Sequence, residues 1–474
     1  MAGAIRAWLL ISLLSAVAGS AAADDHIAIK LQQQAWSGDL DGMLQRGYLR
    51  VLVPYSRTLY FVDLGGAQRG MSYDFMHAFE DSYNRVLGRS ERRLQVVFIP
   101  VSRAQLLPML TSGQGDVIAA DLTVTPERQK VVDFTVPLAR GVSEIIVTGP
   151  GAPPLSTLDD LAGKEIFVSR ASSYYDSLLA LDQQFRRRGL TPLRLREAPG
   201  NFEPEDILEM ANAGLTSIVV ADSYLARLWG QVYPNIRARE DLVVHPGADI
   251  AFALRKGSPK LKAALDEFSR SHGQGSEFGN VTLKKYLGPT RWVRNATSDQ
   301  ELRKFNTLVS LFQKYGRQYD IDWLLMAAQG YQESQLDQDR RSSVGAVGVM
   351  QLMPSTGEKM QVGDIRQLEP NIHAGVKYIR FLVDQYYKDE PMDRLNKVLF
   401  AFASYNAGPT KVRALRSEAR VQGLDPNVWF DNVERIAAVR IGRETVQYVA
   451  NIYKYYIAYT LVQDKVAQEL PQPP

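Results

Sequence analysis

Glu333 closes a segment that reads Asp322-Trp323-Leu324-Leu325-Met326-Ala327-Ala328-Gln329-Gly330-Tyr331-Gln332-Glu333-Ser334. The pattern is helical, and Met326, Gly330 and Glu333 fall on one face at i, i+4, i+7 spacing. Apolar neighbours desolvate a carboxyl and raise its pKa, and a glycine one turn earlier removes bulk beside it. A carboxylic acid that keeps its proton near neutral pH serves as a general acid. A glutamate at a helix end is more often simply solvated, so the residues downstream carry the weight. Other chemistries are poorly supplied. The chain has no cysteine, which excludes disulfides, thiol nucleophiles, thiolate metal sites and a lipid on an N-terminal cysteine. Histidines 26, 77, 245, 272 and 373 are scattered with no pair at ligand spacing, so neither a metal nor any other cofactor is expected.

Four further runs follow in order. They are Ser342-Ser343-Val344-Gly345-Ala346-Val347-Gly348-Val349-Met350-Gln351-Leu352-Met353-Pro354, Asn371-Ile372-His373-Ala374-Gly375, Ser404-Tyr405-Asn406-Ala407-Gly408-Pro409 and Glu444-Thr445-Val446-Gln447-Tyr448-Val449. Together with Glu333-Ser334 they resemble the soluble lytic transglycosylase domain, a goose-lysozyme-like helical fold. The resemblance implies a substrate, the glycan strands of peptidoglycan, and a catalytic role for Glu333. Glu333 would protonate the oxygen between N-acetylmuramic acid and N-acetylglucosamine. The muramyl C6 hydroxyl would then close on C1 to leave a 1,6-anhydro end. It also implies that Ser342 hydrogen-bonds near the carboxyl and that Gln351 and Met353 line the sugar cleft. Tyr405 and Asn406 would face the reacting sugar, with the Tyr405 hydroxyl as partner of Glu333, and Glu444 would match a buried supporting glutamate at the substrate site. A two-carboxylate hydrolase needs a second carboxyl about 5–10 Å away. Asp337, Asp339, Asp364 and Glu444 are the candidates, and no motif marks any of them. Tyr448, Tyr455, Tyr456 and Tyr459 stand at helical spacing, as core or as a sugar-stacking surface.

A second set of reactive types stands earlier. Asp121-Leu122-Thr123-Val124-Thr125-Pro126-Glu127-Arg128 precedes Asp133-Phe134-Thr135-Val136-Pro137, and Ile218-Val219-Val220-Ala221-Asp222-Ser223 comes later. This succession resembles the family 3 extracellular solute-binding proteins. The resemblance implies a ligand carboxylate held by Arg128, whose planar fork matches it, with help from Thr123, Ser172 and Ser173. It implies a ligand ammonium at Asp222, a residue that an N-cap role would explain equally well. Asp121 stands where amino-acid receptors often carry a small hydroxyl residue, which counts against a free amino acid and is compatible with a peptide-like ligand bearing one carboxylate and one amine.

These residues need two different scaffolds. Short β-type runs (Leu49–Val53, Gln95–Ile99, Val117–Ala119, Ser143–Val147, Glu165–Val168, Ser217–Val220, Ile250–Leu254) alternate with amphipathic stretches such as Asp74–Val86 and Asp176–Arg188, a pattern of parallel α/β units. From Glu301 the pattern is almost wholly helical. The expected fold is therefore a two-lobed α/β periplasmic-binding-protein-like domain over residues 47–288, a linker over 289–300 and an all-α lysozyme-like domain over 301–474. Residues 1–23 read as a secretory signal peptide, with Arg6 before an apolar stretch and small residues at its end, and residues 24–46 form an N-terminal segment. The tandem resembles the membrane-bound lytic murein transglycosylases over essentially the whole mature chain. That implies a periplasmic enzyme, peripheral on the inner face of the outer membrane, with the first domain sensing an amino-acid-like ligand or muropeptide. Lys plus Arg is 55 against 52 for Asp plus Glu, a net charge of +3, too small to argue for nucleic acid. Two other functions compete: a receptor with a non-catalytic wall-docking domain, and a lysozyme-type hydrolase.

Overall fold

The computed structural model describes residues 35–62, 67–88, 93–273, 275–287 and 299–469. The expected signal peptide and residues 289–298 of the expected linker lie outside the described residues.

The first part runs α1 (Leu40–Arg46), β1 (Tyr48–Val53), β2 (Phe61–Val62), β3 (Gln68–Arg69), α2 (Met71–Leu87), β4 (Gln95–Pro100), α3 (Arg103–Thr111), β5 (Val117–Thr123), α4 (Pro126–Val131), β6 (Val132–Phe134) and β7 (Ala139–Thr148). It continues through β8 (Glu165–Ser169), α5 (Ser173–Arg187), β9 (Arg194–Ala198), α6 (Pro204–Asn212), β10 (Ile218–Asp222), α7 (Ser223–Trp229), β11 (Arg237–Arg255), α8 (Pro259–His272) and α9 (Glu277–Leu287). The larger sheet has the order β4-β1-β5-β11-β7-β10-β8-β9, with β6 on β11. Parallel pairs β1–β4, β1–β5, β8–β9 and β8–β10 match the expectation of parallel units. The sheet as a whole is mixed, because β7 and β11 run antiparallel to their neighbours. Those two strands are long, and β11 pairs with β5 and β6 at its end but with β7 over most of its length. They tie two lobes together. Strand β1 is buried at five of its six positions, as a parallel strand covered on both faces must be.

The second part is helical: α10 (Asp299–Tyr319), α11 (Trp323–Ser334), α12 (Pro354–Met360), α13 (Leu368–Tyr386), α14 (Arg394–Ala407), α15 (Pro409–Val421), a π turn (Trp429–Val433), α16 (Glu434–Arg440) and α17 (Arg443–Glu469). One apolar core joins α10, α11, α13, α14 and α17. Helix α11 lies at its centre, with Leu324 to Tyr331 buried without a break, which explains its weak amphipathicity. Asp322 caps its start by accepting from the Leu324 amide (2.9 Å), a usual N-cap bond. Its end is abrupt: Gln335 and Leu336 both take φ of 60°, so the chain turns away directly after Glu333 and Ser334. Helix α17 belongs to both parts, since Ala458 and Leu461 pack into the core of the β7–β10 lobe and Lys454 bonds Asp206 at 2.6 Å.

Candidate active site

Glu333 sits half-buried at the C-terminal end of the most enclosed helix of its domain. The Tyr448 hydroxyl of α17 donates to Glu333 Oε1 at 2.6 Å, and the buried Gln329 amide donates to the Tyr448 oxygen at 3.1 Å. Burial pushes the Glu333 carboxyl up to about 7, against the Tyr448 bond, which pulls it down. No second carboxylate acts on it among the described residues. Asp337, Asp339, Asp364 and Glu444 are all exposed.

A tight loop forms one wall. The Ser334 hydroxyl donates to the Val349 carbonyl (2.9 Å), pinning the loop to the end of α11. Asn371, fully buried on α13, donates to the Val347 and Ile365 carbonyls at 2.8 and 2.9 Å and accepts from the Met350 amide at 2.8 Å. Gly348 has φ of 78°, and a Cβ there would stand 2.4 Å from Asn371 Nδ2, so only glycine admits that frame. Gly330 has a role other than the expected one. A Cβ on it would press Val349 at 3.0 Å and Leu336 and Phe312 at 3.2 Å, so the missing side chain makes room for the loop.

The expected sugar-cleft residues converge on this loop and the end of α14, with three corrections. Tyr405 is beside Glu333, whose charge, after burial, raises the tyrosine pKa, yet its hydroxyl donates to the Met350 carbonyl at 2.5 Å. The partner of Glu333 is Tyr448 instead. Ser342 uses its hydroxyl to accept from the Ala346 amide at 2.9 Å, closing the turn and not touching the carboxyl. Glu444 is exposed, in the first turn of α17, not buried. Met353 is 41% exposed at the start of α12. Gln351 takes φ of 45° and folds its amide onto the Gly348 and Arg340 carbonyls. Asn406 is exposed and accepts from the Thr445 hydroxyl at 2.6 Å. Tyr448, expected as core or stacking surface, is thus the partner of the acid, and Asn371, for which no role is expected from the sequence, holds the loop. The Glu-Thr-x-x-Tyr-Val run was the available signal for the first.

The ligand-type residues of the two-lobed domain also meet. Thr123, Arg128, Ser172, Ser173 and Asp222 line one cavity with Arg103, Asp121 and Glu203. Thr123 and Ser173 share a hydrogen bond of 2.9 Å across the lobes, and Arg103 pairs with Glu203 at 2.5 Å. Arg128 donates to the Thr123 carbonyl (2.9 Å), and Ser172 to the Ser169 carbonyl (2.7 Å). Asp222 stands at the N-cap position of α7 but makes no side-chain cap bond, which removes that explanation. Its Oδ1 is buried without a partner, and burial, with Glu144 nearby, pushes its carboxyl up to about 7. The enclosed space is about 40 Å³, room for a few waters and far below the hundreds of Å³ of a usual ligand pocket.

Comparison with known proteins matches residues 49–288 to the model of the bacterial extracellular solute-binding proteins, family 3, and residues 310–426 to the Transglycosylase SLT domain. A Desulfosudis oleivorans protein named membrane-bound lytic murein transglycosylase F is 28% identical over 87% of this chain and 90% of its own length. Proteins of the same name from Pseudomonas putida and Shewanella woodyi are 27% and 28% identical, over 89% and 90% of this chain and 87% and 88% of their own.

Proposed function

We propose a single-carboxyl mechanism for this chain, which belongs to the family 3 bacterial extracellular solute-binding proteins and, through its Transglycosylase SLT domain, is a peptidoglycan lytic transglycosylase of the cell envelope. The observation that carries the mechanism is a half-buried carboxyl at the end of α11, bonded to the Tyr448 hydroxyl and raised to about 7 by burial, with no second carboxylate acting on it among the described residues. Glu333 donates its proton to the glycosidic oxygen as the C1–O bond breaks, leaving a muramyl oxocarbenium or oxazolinium. The C6 hydroxyl then bonds to C1 and returns its proton to Glu333. No water enters, and the enzyme ends in its starting state. Tyr448 stabilises the carboxylate between the two steps by a charge-assisted bond. Met353, Gln351, Tyr405 and Asn406 line the sugar cleft around it. The experiment is mass spectrometry of a sacculus digest: anhydromuropeptides are expected as the main product without added metal, and reducing ends would instead assign a hydrolase.

Tyr448→Phe gives a pH signature. The acid must be protonated for the first step, so kcat/KM falls as pH rises through about 7. The hydroxyl favours the charged carboxylate, and its loss raises the Glu333 pKa. The alkaline limb of the variant therefore moves to higher pH, together with a lower maximal rate. A limb that stays in place or moves down would show that this hydroxyl does not act on the carboxyl.

The protein works in the periplasm after removal of its leader, peripheral on the inner face of the outer membrane. Its first domain takes an amino-acid-like or muropeptide ligand, carboxylate on Arg128 and ammonium on Asp222. Entry requires the lobes to part, because the present space is about 40 Å³. Helix α17 supports a link from that event to catalysis: it bears Tyr448 and, farther on, Lys454, Ala458 and Leu461 against the β7–β10 lobe. Calorimetry with muropeptides should show heat in the wild type that Arg128→Ala abolishes; heat unchanged by the substitution would exclude this site.

A further inference from the structure

Beyond Tyr405 the aromatic surface continues along α13. The Tyr378 ring lies 5.4 Å from that of Tyr405, and Phe381, one turn on, lies 6.2 Å from Tyr378 with the two planes 13° apart. Tyr405 is itself close enough to Glu333 to feel its charge. The three rings are successive neighbours, from Tyr405 near the acid through Tyr378 to the solvent-exposed Phe381. Phe381 is 45% exposed, whereas Ile379, Leu382 and Val383 on the same helix are buried. Core packing therefore does not account for a phenyl ring at that position, and an exposed large apolar group continuous with a binding cleft marks a contact surface.

We propose that Tyr378 and Phe381 form an outer subsite for the glycan strand, a reading that rests on the transglycosylase function above. The occupant is the substrate's own sugar chain, because the rings are continuous with the cleft and suit its chemistry. A pyranose presents an apolar C–H face that packs flat on an aromatic ring while its hydroxyl and acetamido edges stay in water. Phe381, stacked on Tyr378 with the planes nearly parallel and 45% exposed, offers its open surface to one such sugar. The neighbouring Arg380 is engaged by Asp384 (2.9 Å), so its charge is met on its own helix. The subsite would anchor the strand away from the scissile bond and favour long strands over short fragments.

The test is binding to the full-length protein carrying Glu333→Gln, so that turnover does not intrude. The probes are a peptide-free GlcNAc–MurNAc octasaccharide and the corresponding tetrasaccharide, read by calorimetry. Adding Phe381→Ala should weaken the octasaccharide roughly five- to ten-fold, the scale of half-burying one such ring, and the tetrasaccharide much less. Phe381→Trp should restore the preference for length. An equal loss for both probes, or none, overturns the subsite. The product assay on the otherwise unaltered chain judges the underlying function separately, since it reads bond cleavage and not length preference. A melting temperature unchanged by Phe381→Ala should accompany the expected result, and weakened binding that follows lost fold and is not restored by Phe381→Trp would also overturn it.

Discussion

Glu333→Gln is expected to abolish turnover while leaving the fold and sugar binding intact. The amide keeps the size of the carboxyl and can still accept from Tyr448, but it can neither give nor take the proton. Removing general acid–base catalysis costs about 10²–10⁴-fold, and more is expected where one group serves both steps. The same substitution has a stability signature that a merely structural glutamate would lack. In the fold this carboxyl is raised from 4.5 to about 7, so the folded chain prefers the neutral form. Its favourable contribution is complete at pH below about 4.5 and is lost as pH rises through about 7. At pH 8 the wild type holds a desolvated charge that the glutamine variant does not. The variant should therefore melt at or above the wild type at pH 8, with the advantage shrinking toward pH 4. Measurable lysis of sacculi by a verified Glu333→Gln sample, at near-normal rate, would assign the proton to another group.

Asn371→Ala should destabilise the catalytic domain strongly. The side chain is fully buried and makes three hydrogen bonds of 2.8–2.9 Å to the loop and its flank. Its removal strands one amide and two carbonyls away from water, at about 1–3 kcal/mol each. A total of roughly 3 kcal/mol or more corresponds to a melting point lower by about 6–12 °C for a domain of this size. Activity should fall with it, because the Met350 carbonyl that Tyr405 engages lies in the same loop. Asn371→Asp keeps the acceptor but sets a buried carboxylate oxygen against the Val347 and Ile365 carbonyls, so at neutral pH it should be at least as damaging as alanine. Melting within a degree or two of the wild type for Asn371→Ala would mean that the loop is held by other contacts, chiefly the Ser334–Val349 bond.

What the sequence determined by itself was local in origin. The helical spacing around Gly330 and Glu333, the order of the short runs after it and the change from alternating strands to helices are all written in neighbouring residues, because a periodicity of two or 3.6 shows in any short window. Arg128, Thr123 and Asp222 were readable in the same way, each in a short run at a strand end. Tertiary structure decided which groups meet. Two tyrosines were available to Glu333, and nothing in spacing along the chain distinguishes Tyr405 from Tyr448, more than a hundred residues away. The packing of α17 against α11 makes that choice. Glu444 stands in the first turn of α17, but its own position faces water while Thr445 and Val446 beside it are buried. Gly330 looked like space for a carboxyl and is space for Val349, a distinction that only the path of the loop can make. Asp222 had the residue type of a cap, and its missing cap bond is a matter of side-chain direction in a closed cleft. The antiparallel course of β7 and β11 was likewise hidden, since a strand's pattern shows which faces are buried and not which way its neighbours run. Identity and local face are properties of the chain; partner, direction and enclosure arise when distant segments compete for the same buried space.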